Sequence, residues 1–151
     1  MRGRREINNF NRNIEIGLDE VKKFLYNWSP VIAYFAVICI LSSLPLHAPQ
    51  GTDKIWHILE FAVMGFLIAR GVLLTWNLPK IYSALIGIAL GGLFGCLDEL
   101  HQLYVPGRES SIYDAMADVV GTTIGTLLFI YLGMALYKSS KLYSNPHGKC
   151  C

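Results

Sequence analysis

Apolar residues run along this chain in long blocks rather than in short alternations. Four blocks, residues 28–46, 55–76, 81–97 and 115–137, come near the length of about 20 apolar residues that a helix needs to cross the hydrocarbon core of a bilayer. Backbone polar groups in lipid must be satisfied within the protein. The pattern therefore predicts an all-α, polytopic membrane protein, a compact bundle of four transmembrane helices. Ahead of the first block, Ile7, Phe10, Ile14, Leu18, Val21 and Leu25 recur at three- and four-residue steps among Asn, Arg, Glu and Lys. That period predicts an amphipathic N-terminal helix, lying on a membrane surface and leading into the first span. Pro30 then falls in the first turn of the span, where a missing N–H is harmless.

In the third block Gly87, Gly91 and Gly95 repeat every four residues, and in the fourth Gly121 and Gly125 do the same. Small residues at this spacing let helix backbones approach closely, so the third and fourth spans are expected to pack on each other. Composition agrees with a membrane protein: 53% of residues are hydrophobic, 16% are charged, and the mean hydropathy is +0.40. A chain of 151 residues is sized for one domain. The expected organisation is a cytoplasmic segment over 1–27, a membrane domain over 28–137 and a cytoplasmic tail over 138–151.

Charge sets the expected orientation. Ten of the 13 Lys and Arg residues lie in the N-terminal segment, the second connection and the tail. By the positive-inside rule both termini face the cytoplasm, and the connections holding Asp53 and residues 98–114 face outward. The first span reads as an uncleaved anchor, because no small-residue cleavage site follows it. The basic residues are accounted for by orientation, so nucleic-acid binding is not supported. The four cysteines, Cys39, Cys96, Cys150 and Cys151, give no disulfide framework under this topology.

The outward ends carry the chemistry. Asp53, His57 and Glu60 fall at i, i+4 and i+7, on one helical face. Asp98, Glu99 and Gln102 stand at the end of the third span and form one cluster if that helix continues a turn. Asp114 and Asp118 are one turn apart at the start of the fourth, on the stripe that Gly121 and Gly125 continue. A charge near a bilayer centre costs at least about 2.5–3.5 kcal/mol, so acids on three helices at one depth point to a shared, outward-facing polar pocket. Unpartnered carboxylates repel one another, so they require protons, a salt bridge to Lys54 or Arg108, or a bound cation.

Plainer roles compete for several of these residues. Ser111 with Asp114 fits a capping box opening the fourth helix, and Thr52 or Asp53 fits a cap on the second. Asp98 and Glu99 can be read as solvated at the membrane surface; Asp118, one turn inside, cannot. Arg108, after the turn-forming Pro106-Gly107, either pairs with an acid to tie the loop down or holds a phosphate or carboxylate of a ligand. His101 and Glu109 read as the wet side of that loop, and His47 carries little signal.

The motifs D-K-x-x-H-x-x-x-F over 53–61 and D-E-x-x-Q-x-x-x-P-G-R-x-x-S-x-x-D over 98–114, followed by a small-residue helix, resemble the VanZ-like membrane protein family. The likeness covers roughly residues 42–136. Family members often carry Asn where this chain has Asp118. The founding member is associated with low-level resistance to teicoplanin, a glycopeptide that binds cell-wall precursors outside the membrane. The resemblance implies a multi-pass protein of the bacterial inner membrane, acting on or shielding something at the outer leaflet.

Two functional classes follow. In the first, an enzyme acts on a membrane lipid or lipid-linked precursor: His57 or Glu60 is the general base, Arg108 holds the phosphate, and Asp98, Glu99 and Asp114 bind a divalent cation as cofactor. Asp53, Lys54, Gln102, Ser111 and Asp118 then complete the ligand site. In the second, the pocket binds or shields a lipid head group or glycopeptide without chemistry. No lipid-phosphatase or phosphatidyltransferase signature, nucleophile elbow, phosphate-binding loop or zinc spacing occurs in the sequence. Nothing in it indicates an oligomeric state.

Overall fold

The computed structural model describes residues 2–44, 52–76, 78–108 and 110–144, with side chains described between 12 and 133; His47 and Glu109 lie outside the described residues. Four helices follow in order: α1 (Arg2–Ser42), α2 (Asp53–Trp76), α3 (Lys80–Gln102) and α4 (Ile112–Ser144). Each contains a segment long and apolar enough to cross a membrane, namely Arg12–Ser42, Asp53–Trp76, Lys80–Gln102 and Ile112–Gly133. The chain is a multi-pass membrane protein built as a four-helix bundle.

The amphipathic segment and the first span form one continuous helix. Pro30 therefore lies inside α1 rather than in a first turn. A proline there removes the hydrogen bond to the carbonyl four residues earlier, a loss that α1 absorbs without a break. The third helix runs past residue 97 to Gln102, the extra turn needed to bring Asp98, Glu99 and Gln102 together.

Packing is inside-out relative to a soluble protein. Large apolar side chains such as Ile32, Ile55, Trp56, Leu85, Leu93, Met116 and Leu127 face outward, whereas Ser83, His57, Asp98, Asp118, Thr122 and Thr126 are buried. Lipid tails are as apolar as leucine, so helices gain little by hiding apolar surface from them and associate through close packing and hydrogen bonds. Two seams do this. Val31 and Ile38 of α1 meet Phe61, Met64, Ile68 and Val72 of α2, with Phe35 and Phe94 closing the α1–α3 side at 4.6 Å between ring centroids.

The second seam is made of small residues. A Cβ added at Gly95 of α3 would stand 2.8 Å from Cβ of Asp118, and those added at Gly91 and Gly87 would meet Thr122 and Thr126. The α3 glycines therefore face the 118–122–126 stripe of α4, as the spacing predicts. Gly121 and Gly125 correct the second half of that expectation: they face the backbone of Ile58 and Ala62 on α2, and Gly65 of α2 faces the backbone of Thr122. Glycines on both helices let α2 and α4 approach almost backbone to backbone, and Thr126 Oγ1 donates to the Gly65 carbonyl at 3.2 Å. Phe66 and Phe129 pack edge to face beyond this contact, at 4.9 Å.

A methyl group at Gly125 would lie 2.7 Å from the Ala62 carbonyl carbon and 2.9 Å from Phe66 N, whereas one at Gly133 meets nothing within 4 Å. Gly125→Ala should lower stability by about 1–3 kcal/mol through overpacking. Gly133→Ala should leave it unchanged or slightly raised through helix propensity. Thermal unfolding of the two variants in detergent checks the contrast.

Candidate polar site

The C-terminal ends of α1 and α3 and the N-terminal ends of α2 and α4 meet at the end of the bundle opposite both termini. Here the local structure explains why acids are tolerated. The first turns of α2 and α4 expose N–H groups carrying partial positive charge, which favours Asp53 and Asp114 at those positions. His57, Asp98 and Asp118 stand about 6–9 Å inside their helix ends, at 1.5 Å per residue. Asp98 and Asp118 are fully buried, and Glu99, Gln102, Asp114 and His57 nearly so. The reading of Asp98 and Glu99 as surface-solvated is thus overturned.

Each buried acid has its own partner. Asp98 accepts from Ser42 Oγ at 2.8 and 3.1 Å and from Gln102 Nε2 at 2.8 Å. Asp118 Oδ1 lies 2.9 Å from His57 Nδ1. Glu99 Oε2 accepts the backbone N–H of Ser111 at 2.7 Å. Asp114 forms an ion pair with Lys54, Nζ to Oδ1 at 3.4 Å, with the ammonium also over the Tyr113 ring.

This division corrects the capping-box expectation. Ser111 does precede α4, with its hydroxyl accepting from Tyr113 N at 3.2 Å. The carboxylate that reaches back to the Ser111 N–H belongs to Glu99 of α3, not to Asp114. Glu99 occupies that donor, and Asp114 turns to Lys54 instead. At α2, the backbone carbonyl of Thr52 accepts from Ile55 and Trp56, the geometry of a helix start.

Arg108 takes neither expected partner. Pro106 and Gly107 form a turn closed by Arg108 N to the Val105 carbonyl at 3.1 Å, with Gly107 at φ +84°, a value glycine adopts without strain. The turn directs the guanidinium to the last carbonyls of α1: Nε donates to Ser42 O at 3.0 Å and Nη2 to Leu41 O at 3.4 Å. A helix C-terminus carries partial negative charge, so a cation fits there. His101 lies in the last turn of α3, partly exposed, with Nε2 2.8 Å from the exposed Ser43 Oγ.

Two groups place ligand atoms close enough to share a metal ion. His57, Asp98, Glu99 and Asp118 each offer one atom, all within 4.8 Å of one another; Asp53, His57 and Asp114 form a second group nearer the rim. Of the expected site residues, the structure gathers His57, Asp98, Glu99 and Asp118, supported by Gln102 and Ser111, while Asp53, Lys54 and Asp114 sit beside them at the rim. Glu60 is half-buried on the His57 face but outside both groups. Ser42 escaped the sequence reading. Its one signal is a serine closing an apolar run, which many helices share.

The family model VanZ/LLP1 matches residues 4–136. Searches of curated proteins and of solved structures found no match to the chain.

Arg108→Ala removes two charge-assisted hydrogen bonds between the α3–α4 loop and α1. It should cost about 1.5–3 kcal/mol and speed amide exchange in residues 103–111 while leaving exchange in the middle of α2 unchanged, as hydrogen-exchange mass spectrometry would read.

With motifs at 53–61 and 98–114 gathered at one end of a four-span bundle and a family model covering residues 4–136, the chain belongs to the VanZ/LLP1 family.

Proposed function

We propose that this VanZ-family protein acts at the outer leaflet of a bacterial inner membrane on a lipid or lipid-linked cell-envelope precursor, with both termini in the cytoplasm. The observation that carries the reading is the convergence of His57, Asp98, Glu99 and Asp118 from three helices at the end of the bundle away from the termini. Structural helices in lipid avoid such groups because they are expensive to bury, so their gathering at one depth favours a functional site. The distribution of Lys and Arg supports placing that end outside.

In this reading His57 or Glu60 accepts a proton from the attacking group, and Lys54 at the rim exchanges Asp114 for the phosphate of the substrate. Arg108, the expected phosphate holder, donates to the carbonyls of α1 in this structure and would meet a phosphate with its remaining donors or by releasing those carbonyls. In a second reading the site binds a lipid head group or glycopeptide and shields the precursor without chemistry; no lipid-phosphatase or phosphatidyltransferase signature occurs in the sequence. The link to teicoplanin belongs to either reading and rests on family resemblance alone.

Two measurements test this. Tyr104, exposed in the α3–α4 loop, should react as Tyr104→Cys with a membrane-impermeant maleimide in intact cells when the native cysteines are replaced by serine; labelling only after lysis would reverse the orientation. Purified protein incubated with bacterial lipid extract should change the mass of one lipid class, and Glu60→Gln should slow that conversion by about 100-fold or more. A lipid retained without conversion would establish the shielding reading, and neither conversion nor retention would remove lipid action altogether.

A further inference from the structure

The buried half of the site has an imbalance that its own side chains do not correct. Asp98, Glu99 and Asp118 bring three carboxylates together with one imidazole. Lys54 is paired with Asp114, and Arg108 with the carbonyls of α1. Burying charges without compensation costs several kcal/mol each, so this cluster calls for a positive partner.

A second observation says where that partner would sit. Glu99 Oε1 and Asp118 Oδ2 are buried oxygens without a hydrogen-bond partner among the described residues, on side chains that are 93% and fully buried. The remaining oxygen of each is already fixed: Glu99 Oε2 by Ser111 N–H and Asp118 Oδ1 by His57. Asp118 Oδ2 turns toward α3, since a Cβ at Gly95 would lie 3.0 Å from it, one turn before Asp98 and Glu99. The orphaned oxygens therefore belong to facing helices at one level. Gly95, lacking a side chain, is what lets Asp118 approach α3 this closely.

We infer that His57, Asp98, Glu99 and Asp118 form a buried site for one divalent transition-metal ion, Zn²⁺ or Mn²⁺, that ties α2, α3 and α4 together. Metal–ligand bonds of about 2.0–2.2 Å place ligand atoms about 3.3–3.6 Å apart in a tetrahedron, so four atoms within 4.8 Å close in by at most about 1.5 Å when the ion binds. One imidazole nitrogen among three carboxylates suits borderline Zn²⁺ best, with Mn²⁺ drawn by the oxygens as the second choice. Mg²⁺ and Ca²⁺ prefer all-oxygen shells, and Mg²⁺ also keeps several waters, for which a closed cluster has little room. The supporting contacts are those a metal site uses to hold its ligands: Ser42 and Gln102 on Asp98, and Ser111 N–H on Glu99.

This set differs from the one expected from sequence. Asp114 is replaced by His57 and Asp118, because Lys54 already neutralises Asp114 at the rim. Ion binding goes beyond the lipid reading and stands without it. Where both hold, the ion takes His57 as a ligand and Glu60 is left as the proton acceptor.

The experiment uses the full chain in detergent with Cys150→Ser and Cys151→Ser, since a terminal thiol pair binds Zn²⁺ itself. After chelation and dialysis, Zn²⁺ or Mn²⁺ is returned, and bound metal is measured by elemental mass spectrometry alongside thermal unfolding. One ion per chain and a raised unfolding temperature are expected, with no rise from Mg²⁺. Asp118→Asn and Glu99→Gln should each weaken uptake by more than about 100-fold, and Ser42→Ala, which only frees Asp98, by about 10- to 100-fold. Should the acid variants fail to fold, Co²⁺ loaded into the otherwise unaltered site supplies a second reading: its visible absorption should show nitrogen coordination and change in His57→Gln. No stoichiometric uptake, or uptake that every one of these substitutions leaves unchanged, overturns the site. Lipid conversion plays no part in the readout, so loss of the lipid reading and loss of the metal site would be told apart.

Discussion

The approach of α4 to α2, glycine against backbone, is the constraint on which the polar end of the molecule depends. Gly65, Gly121 and Gly125 remove the side chains that would hold these helices at an ordinary separation. Once the axes are this close, the neighbouring stripe of α4, Asp118, Thr122 and Thr126, is presented to the glycines of α3. Asp118 then has no route to lipid or water and lies beside His57 on one side and Gly95 on the other. The depth of the acid follows from the packing of the helices, with no contribution from the loops.

That packing also explains how so many ionisable groups share one end. The acids divide the available donors among them, and Glu99 and Asp118 each keep one oxygen without a donor among the described residues. The rim carboxylate of Asp114 meets an ammonium, Asp98 meets a hydroxyl and an amide, Asp118 an imidazole, and Glu99 a backbone N–H. The donors come from α1, α2, α3 and the α3–α4 loop, so no single helix could carry this arrangement alone. Bonds to charged acceptors are stronger than neutral ones, and in a low-dielectric interior they fix geometry as well as energy.

Much of this was legible in the sequence, and the rest was hidden for physical reasons. Block hydrophobicity marks membrane helices because lipid leaves few alternatives, so the four spans and their order follow from it. The i, i+4 spacing placed His57 with Asp53, and the small-residue repeat of α3 found its partner. Spacing cannot say which neighbour a stripe meets, however, and Gly121 and Gly125 turned out to face α2. The fates of Arg108 and Ser111 were hidden for a related reason. An arginine pairs equally well with a carboxylate or a helix terminus, and a serine N–H donates to any carboxylate within reach. Only the position of a helix distant in sequence decides between them.

The second half of the α3–α4 loop is held by charge at two points, through Arg108 on the terminus of α1 and Ser111 on Glu99. Lifting it would strip Glu99 of its donor in the same movement that exposes the polar end. Loop and acid are therefore energetically linked: whatever loosens Ser111 leaves a second oxygen of a buried carboxylate without its donor, a cost that holds the loop in place.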